Sequence, residues 1–125
     1  MVLIVGSKYA LATLSPDPII YEKPAVQDES INIEALLKKY SEQYAVSYEE
    51  MKRVMMCESG GKVDVVGDGG NAYGLFQFWE GTFYYIASRT GEDLDWKNPE
   101  HQIKVACYGF AHGFQPHWTC WKPIK

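Results

Sequence analysis

The sequence predicts a mainly α-helical domain, with four helices set around a short loop-and-strand segment. Three observations carry this: apolar residues recur three and four apart in separate stretches, capping residues head those stretches, and glycines crowd the interval between them. The first stretch starts at Ile31, where Ile33, Leu36, Leu37, Tyr40 and Tyr44 share one helical face. "AVS" at 45–47 breaks it. Ser47 with Glu50 three residues on is a capping-box signature, so a second helix starts there. Its apolar face is Met51, Val54, Met55 and then position 58, and Gly60 and Gly61 stop it because glycine leaves a helix without strain. In "KVDVVGDGGNAYGLFQFW", residues 62–79, the first half is glycine-rich loop, and "YGLFQF" reads as a strand or as the start of a helix. The segment 82–88 is helical and Gly91 closes it. Asn98 and Pro99 supply a cap and a first-turn proline for the last helix, which carries Ile103, Ala106, Cys107 and Phe110 and ends by Gly113. The tail "FQPHWTCWKPIK" is aromatic and has no period.

A chain of 125 residues suits one domain, read here as residues 31–125. Residues 1–30, with Pro16, Pro18 and Pro24, read as an extended arm, a linker or an atypical secretion signal. The opening apolar run "MVLIV" is short and has no basic residue before it, and Lys8 interrupts its continuation, so no membrane span is expected. With 46% hydrophobic and 22% charged residues the chain is globular rather than disordered. The net charge of -4 and absence of a basic stripe argue against nucleic-acid binding. They also give no general attraction to an anionic polymer, so such a substrate has to be held locally. Aromatic residues at 14% suit stacking on sugar rings, although any single one is more simply core. Cys57, Cys107 and Cys120 leave open three single disulfides, or none in a reducing compartment.

The unusual residue is Glu58 in "CESGG". Positions 51, 54, 55 and 58 lie on one face of the second helix, which turns this carboxyl toward the core or a cleft in it. Desolvation disfavours its anion, and so does the negative end of the helix dipole in the last turn. Both raise its pKa toward the range where a carboxyl group donates a proton near neutral pH. The alternative is a residue at the edge of the stripe that faces water.

Glu58-Ser59 followed by "GDGGNAYGLFQF" resembles the lysozyme-like superfamily, and within it the soluble lytic transglycosylase type of domain. In that family a Glu-Ser pair at a helix end is followed by a loop and then by Gly-Leu-x-Gln, here Gly74, Leu75 and Gln77. Thr82 stands about where the family opens its next helix with a threonine, and "NPEHQIKVACY" is similar to the segment leading into the helix that backs the groove. The resemblance covers about residues 33–108. It implies an α+β lysozyme-like fold, a peptidoglycan glycan strand as partner, no cofactor, a monomer, and an extracytoplasmic or phage-associated location. Glu58 would protonate the glycosidic oxygen between N-acetylmuramic acid and N-acetylglucosamine. Ser59 would orient the carboxyl or an acetamido group, and Gln77 beside Gly74 would bond the sugar. Tyr73, Phe78, Trp79 and Trp118 are the expected groove walls, and Tyr108 the substitute for the tyrosine the family places at the catalytic end.

Hydrolases generally need a second carboxylate. Animal-type lysozymes carry an aspartate just before the Tyr-Gly, where this chain has Ala72. Asp64 and Asp68 remain on the loop, and Asp68 in "GDGG" is more simply a turn residue. Glu58 is therefore expected to act alone, as acid and then base, closing a 1,6-anhydro ring. Hydrolysis, with Asp64 or Asp68 positioning water, is the alternative, and a non-catalytic glycan-binding module is another. The chain departs from the family at Trp79-Glu80, where a proline is common, and in its tail. Small bacterial proteins of this kind often place a cysteine before the catalytic glutamate and finish in Trp-x-Cys, which implies a Cys57–Cys120 bridge with Cys107 free. A zinc set of Cys107, His112, His117 and Cys120 is the rival, but its spacing suits neither one helical face nor a standard knuckle.

Overall fold

A computed structural model of the protein describes residues 31–122, and the arm expected over 1–30 lies outside them. Among the described residues there are four α-helices: α1 Ile33–Tyr44, α2 Tyr48–Ser59, α3 Glu80–Ala87 and α4 Pro99–Ala111. Between α2 and α3 lies a small antiparallel sheet in the order β1 Val66–Gly67, β2 Ala72–Tyr73, β3 Phe78–Trp79. The mainly α expectation holds.

The helix ends follow from their capping chemistry. Asn32, Ser47 and Asn98 each accept a hydrogen bond from the backbone N–H three residues on. Only half of the expected capping box forms, because the Glu50 carboxylate accepts from Trp121 Nε1 at 2.9 Å instead. Gly60, at φ 68°, caps α2 in the left-handed region. The helix expected over 82–88 begins two residues earlier, at Glu80, whose charge suits the positive end of the helix.

Helix α4 buries Gln102, Ile103, Val105, Ala106, Cys107, Gly109 and Phe110, more than one stripe can hold, so it runs through the middle of the domain. Helices α1 and α3 pack on it, and α2 packs on α1. Leu37, Met51, Val54, Phe83 and Ile86 complete the core from the surrounding helices. Cys107 is free and buried beside Ser41, and burial pushes its thiol pKa up to about 12.

"YGLFQF" is neither a single strand nor the start of a helix. Tyr73 ends β2 and pairs with Phe78 at the start of β3, and the four residues between them make the turn. Leu75 and Phe76 within that turn have no exposed surface, so its apolar residues plunge into the core. A turn buried this way needs partners for its backbone. Gln102 supplies them, accepting from Phe76 N at 3.0 Å and donating to Tyr73 O at 2.8 Å and Trp96 O at 2.9 Å. Trp118 Nε1 donates to Phe76 O at 3.0 Å.

Candidate active site

Glu58 sits in the last turn of α2, half-buried, beside the disulfide between Cys57 and Cys120. Its Oε2 accepts a hydrogen bond from Cys120 N at 3.3 Å, so the tail folds back onto the carboxyl. Burial raises its pKa above the ordinary carboxyl value, the Cys120 N–H opposes that by favouring the anion, and the charge of Asp68 adds to the rise.

Asp68 is more than a turn residue. It lies at φ 50°, and its Oδ2 accepts from Trp79 Nε1 at 2.9 Å. That bond holds the indole of Trp79, which remains 50% exposed, at the rim of a pocket of about 370 Å³. Trp79, Gly81, Thr82, Tyr85 and His117 line this pocket. A smaller one of about 50 Å³ shares Trp79, Thr82 and His117 and reaches Gln77, Phe78 and Trp118. Glu58 lies outside the lining of both. Asp68 is the link, acting on Glu58 through its charge and on Trp79 through its hydrogen bond. Asp64 is exposed on the loop.

The other expected site residues are drawn mostly into the scaffold. Ser59 Oγ donates to Met55 O at 3.2 Å and accepts from Gly61 N at 3.1 Å, which shapes the exit from α2. Gln77 Nε2 donates to Val65 O at 2.9 Å and Gly74 O at 3.0 Å, so both amide hydrogens are used and only the carbonyl oxygen is left for a ligand. Gly74 does permit a close approach, but the group that approaches is Gln102. A Cβ at position 74, at φ 85°, would fall 2.5 Å from Gln102 Nε2. Phe78 and Trp118 are mostly core, 2% and 5% exposed, because each packs on the other with Phe83 and Phe110, and they show only an edge to the smaller pocket. Tyr73 meets Trp96 edge-on with Lys97 above its ring. Tyr108 packs elsewhere, stacked on His112, edge-on to Tyr44, with its hydroxyl donating to Arg89 O.

The expected Cys57–Cys120 pairing is present. It removes Cys120 from the zinc set, Cys107 is sealed in the core, and among the described residues no three His, Cys, Asp or Glu side chains converge as a metal site. Gln102 and Tyr85 went unread in the sequence, His117 was weighed only as a zinc ligand, and the bond between Asp68 and Trp79 was not foreseen. A signal existed for some of them: Trp79, Thr82 and Tyr85 stand three apart along α3 and its N-cap, in a row that borders the buried face of Phe83 and Ile86.

A model of the transglycosylase SLT domain matches residues 35–116, about two thirds of the chain. No curated protein and no solved structure matches it.

Proposed function

The chain belongs to the transglycosylase SLT domain family, and from that premise we propose that it cleaves the β-1,4 bond between N-acetylmuramic acid and N-acetylglucosamine with Glu58 as acid and base. The observation that carries this reading is the carboxyl itself: half-buried at the end of α2, with its pKa raised by that burial. Such a group retains its proton closer to neutral pH than an ordinary glutamate does. It would give that proton to the glycosidic oxygen as the bond from C1 breaks. The resulting carboxylate would then take the proton of the muramic acid C6 hydroxyl as that oxygen bonds to C1, leaving a 1,6-anhydro end. The aromatic pocket beside Trp79 and Tyr85 is of the kind against which pyranose rings lie. The disulfide fits an oxidising, extracytoplasmic location, and among the described residues no helix is long and apolar enough to cross a membrane.

One observation favours hydrolysis as a second reading. The charge of Asp68 reaches Glu58, which supports a role for it as a second carboxylate that holds a water. Mass spectrometry of muropeptides released from purified peptidoglycan separates the two. Anhydro ends are expected, and reducing ends would assign hydrolysis. Glu58→Gln should cost at least about 100-fold in turnover. Release of neither product by the unaltered protein would overturn the assignment of an enzyme.

A further inference from the structure

We propose that Cys120 is a positioning residue for Glu58, its backbone N–H held on the carboxyl by the Cys57–Cys120 bridge, so that full activity belongs to the bridged form. The inference rests on the acid role given to Glu58 above, but its geometry is independent of the substrate. Cys57 immediately precedes Glu58 in α2, and its partner in the disulfide is the residue whose own amide donates to Glu58 Oε2 at 3.3 Å. One covalent link therefore sets the distance between the helix that bears the acid and the strand of tail that touches it. The next residue extends the same contact along α2, with Trp121 Nε1 on Glu50 Oε2 at 2.9 Å. Cys57 and Glu50 are seven positions apart on the helix, about 10 Å, so the tail lies along α2 rather than meeting it at one point.

The division of labour among these contacts follows from their chemistry. Trp118, 5% exposed and bonded to Phe76 O, anchors the tail in the core whether or not the bridge exists. Trp121 does the same at the surface. Trp121 N also donates to Trp118 O at 3.1 Å and closes a turn around Cys120, but neither that turn nor the two indoles tie Cys120 itself to α2, and a hydrogen bond is sensitive to small displacements of its donor. The bridge removes the remaining freedom. A bond of 3.3 Å is long for a charged acceptor, so its use is to orient the carboxyl and to tighten as negative charge returns to Glu58 when the proton leaves. Ser59, the expected orienting group, is spent on the backbone of its own helix end, which leaves this work to the tail.

Nuclear magnetic resonance of the unaltered, bridged protein tests the contact directly. The Cys120 amide proton should move downfield with the same midpoint as the Glu58 carboxyl carbon, and Glu58→Gln should abolish that movement. An amide that ignores the Glu58 titration overturns the proposal, whatever any variant does. The second arm uses C57S/C120S and soluble peptidoglycan oligomers. We expect kcat to fall about tenfold with KM changed less than about twofold, as for a displaced catalytic group. The variant keeps its tryptophan anchors but loses the pinned donor that favours the anion. Glu58 then holds its proton more tightly, and the basic limb of the kcat profile moves to higher pH. Unchanged kcat and an unmoved limb in a folded variant overturn the proposal. Absence of turnover in the unaltered protein counts against the enzymatic reading alone, because the amide titration does not depend on it.

Discussion

A carboxyl group kept half out of water at the end of a helix is poorly placed for stability. Its pKa is raised in the folded protein relative to its ordinary value of 4.5, so the folded state binds more protons than the unfolded state between those two values. Stability therefore falls as pH rises through that window and stays lower above it. Glu58→Gln keeps the shape and an acceptor for the Cys120 N–H while removing the charge. This variant should thus melt at a higher temperature than the parent at pH 7, and the advantage should vanish below about pH 4, where both are neutral. Melting curves across pH check this; a glutamine variant less stable than the parent at pH 7, with the gap closing as pH falls, would mean that the charge is satisfied by contacts other than the one to Cys120. The position of this residue was legible because a charge interrupts an apolar stripe. Gln102 interrupts the stripe of Ile103, Ala106 and Phe110 in the same manner, yet it passed unread. It is neutral and a good helix former, so nothing about it looks costly until the buried carbonyl groups it serves are seen. Gln77 could not be assigned its bonds at all, since Val65 O is brought to it only by the folding of the loop.

At the scale of elements, the caps Ser47 and Asn98 declared themselves, because each is a local bond between a side chain and the backbone three residues on, whereas Asn32, which makes the same bond, was passed over. The sheet did not. Its strands are two residues each, too short for an alternation to register, and the turn between β2 and β3 has its apolar residues inside. That turn is held by a clamp of two residues, Gly74 and Gln102, and the clamp predicts a coupling. Gly74→Ala places a Cβ in the left-handed region and against the Gln102 amide, so it should cost about 2–4 kcal/mol. Gln102→Ala leaves Phe76 N, Tyr73 O and Trp96 O without their partner and should cost about 3 kcal/mol or more. In the double variant the obstructing amide is gone, and only the backbone strain of position 74 remains. The two costs should therefore fall short of their sum by at least about 1 kcal/mol, as read by urea denaturation of all four proteins. Strict additivity would mean that the glycine serves its turn alone and that the close approach is relieved by a small shift of α4.

The described domain as a whole is closed by the segment that follows α4, and the closure has two parts that respond to different perturbations. The Cys57–Cys120 bridge spans 63 positions and encloses the sheet, α3 and α4. On the chain-entropy account a loop of that size stabilises by about 4 kcal/mol, acting on the unfolded chain rather than on any native contact. Trp118 acts on the native state, filling the space between Phe76, Phe78 and Phe110. A single domain of this length holds roughly 5–15 kcal/mol in all, so either part is a large share. Reduction should lower the stability in urea by about 3–4 kcal/mol and leave the folded near-ultraviolet spectrum intact, since the indole still occupies its site. Trp118→Ala should cost about 3–5 kcal/mol with the bridge closed, and should alter that spectrum. If reduction costs less than about 1 kcal/mol, the unfolded chain is already compact enough to hold Cys57 and Cys120 near each other, and the tail is retained by packing alone. A loss near 4 kcal/mol instead makes the oxidised form much the more stable one, so the protein folds most securely where disulfides persist.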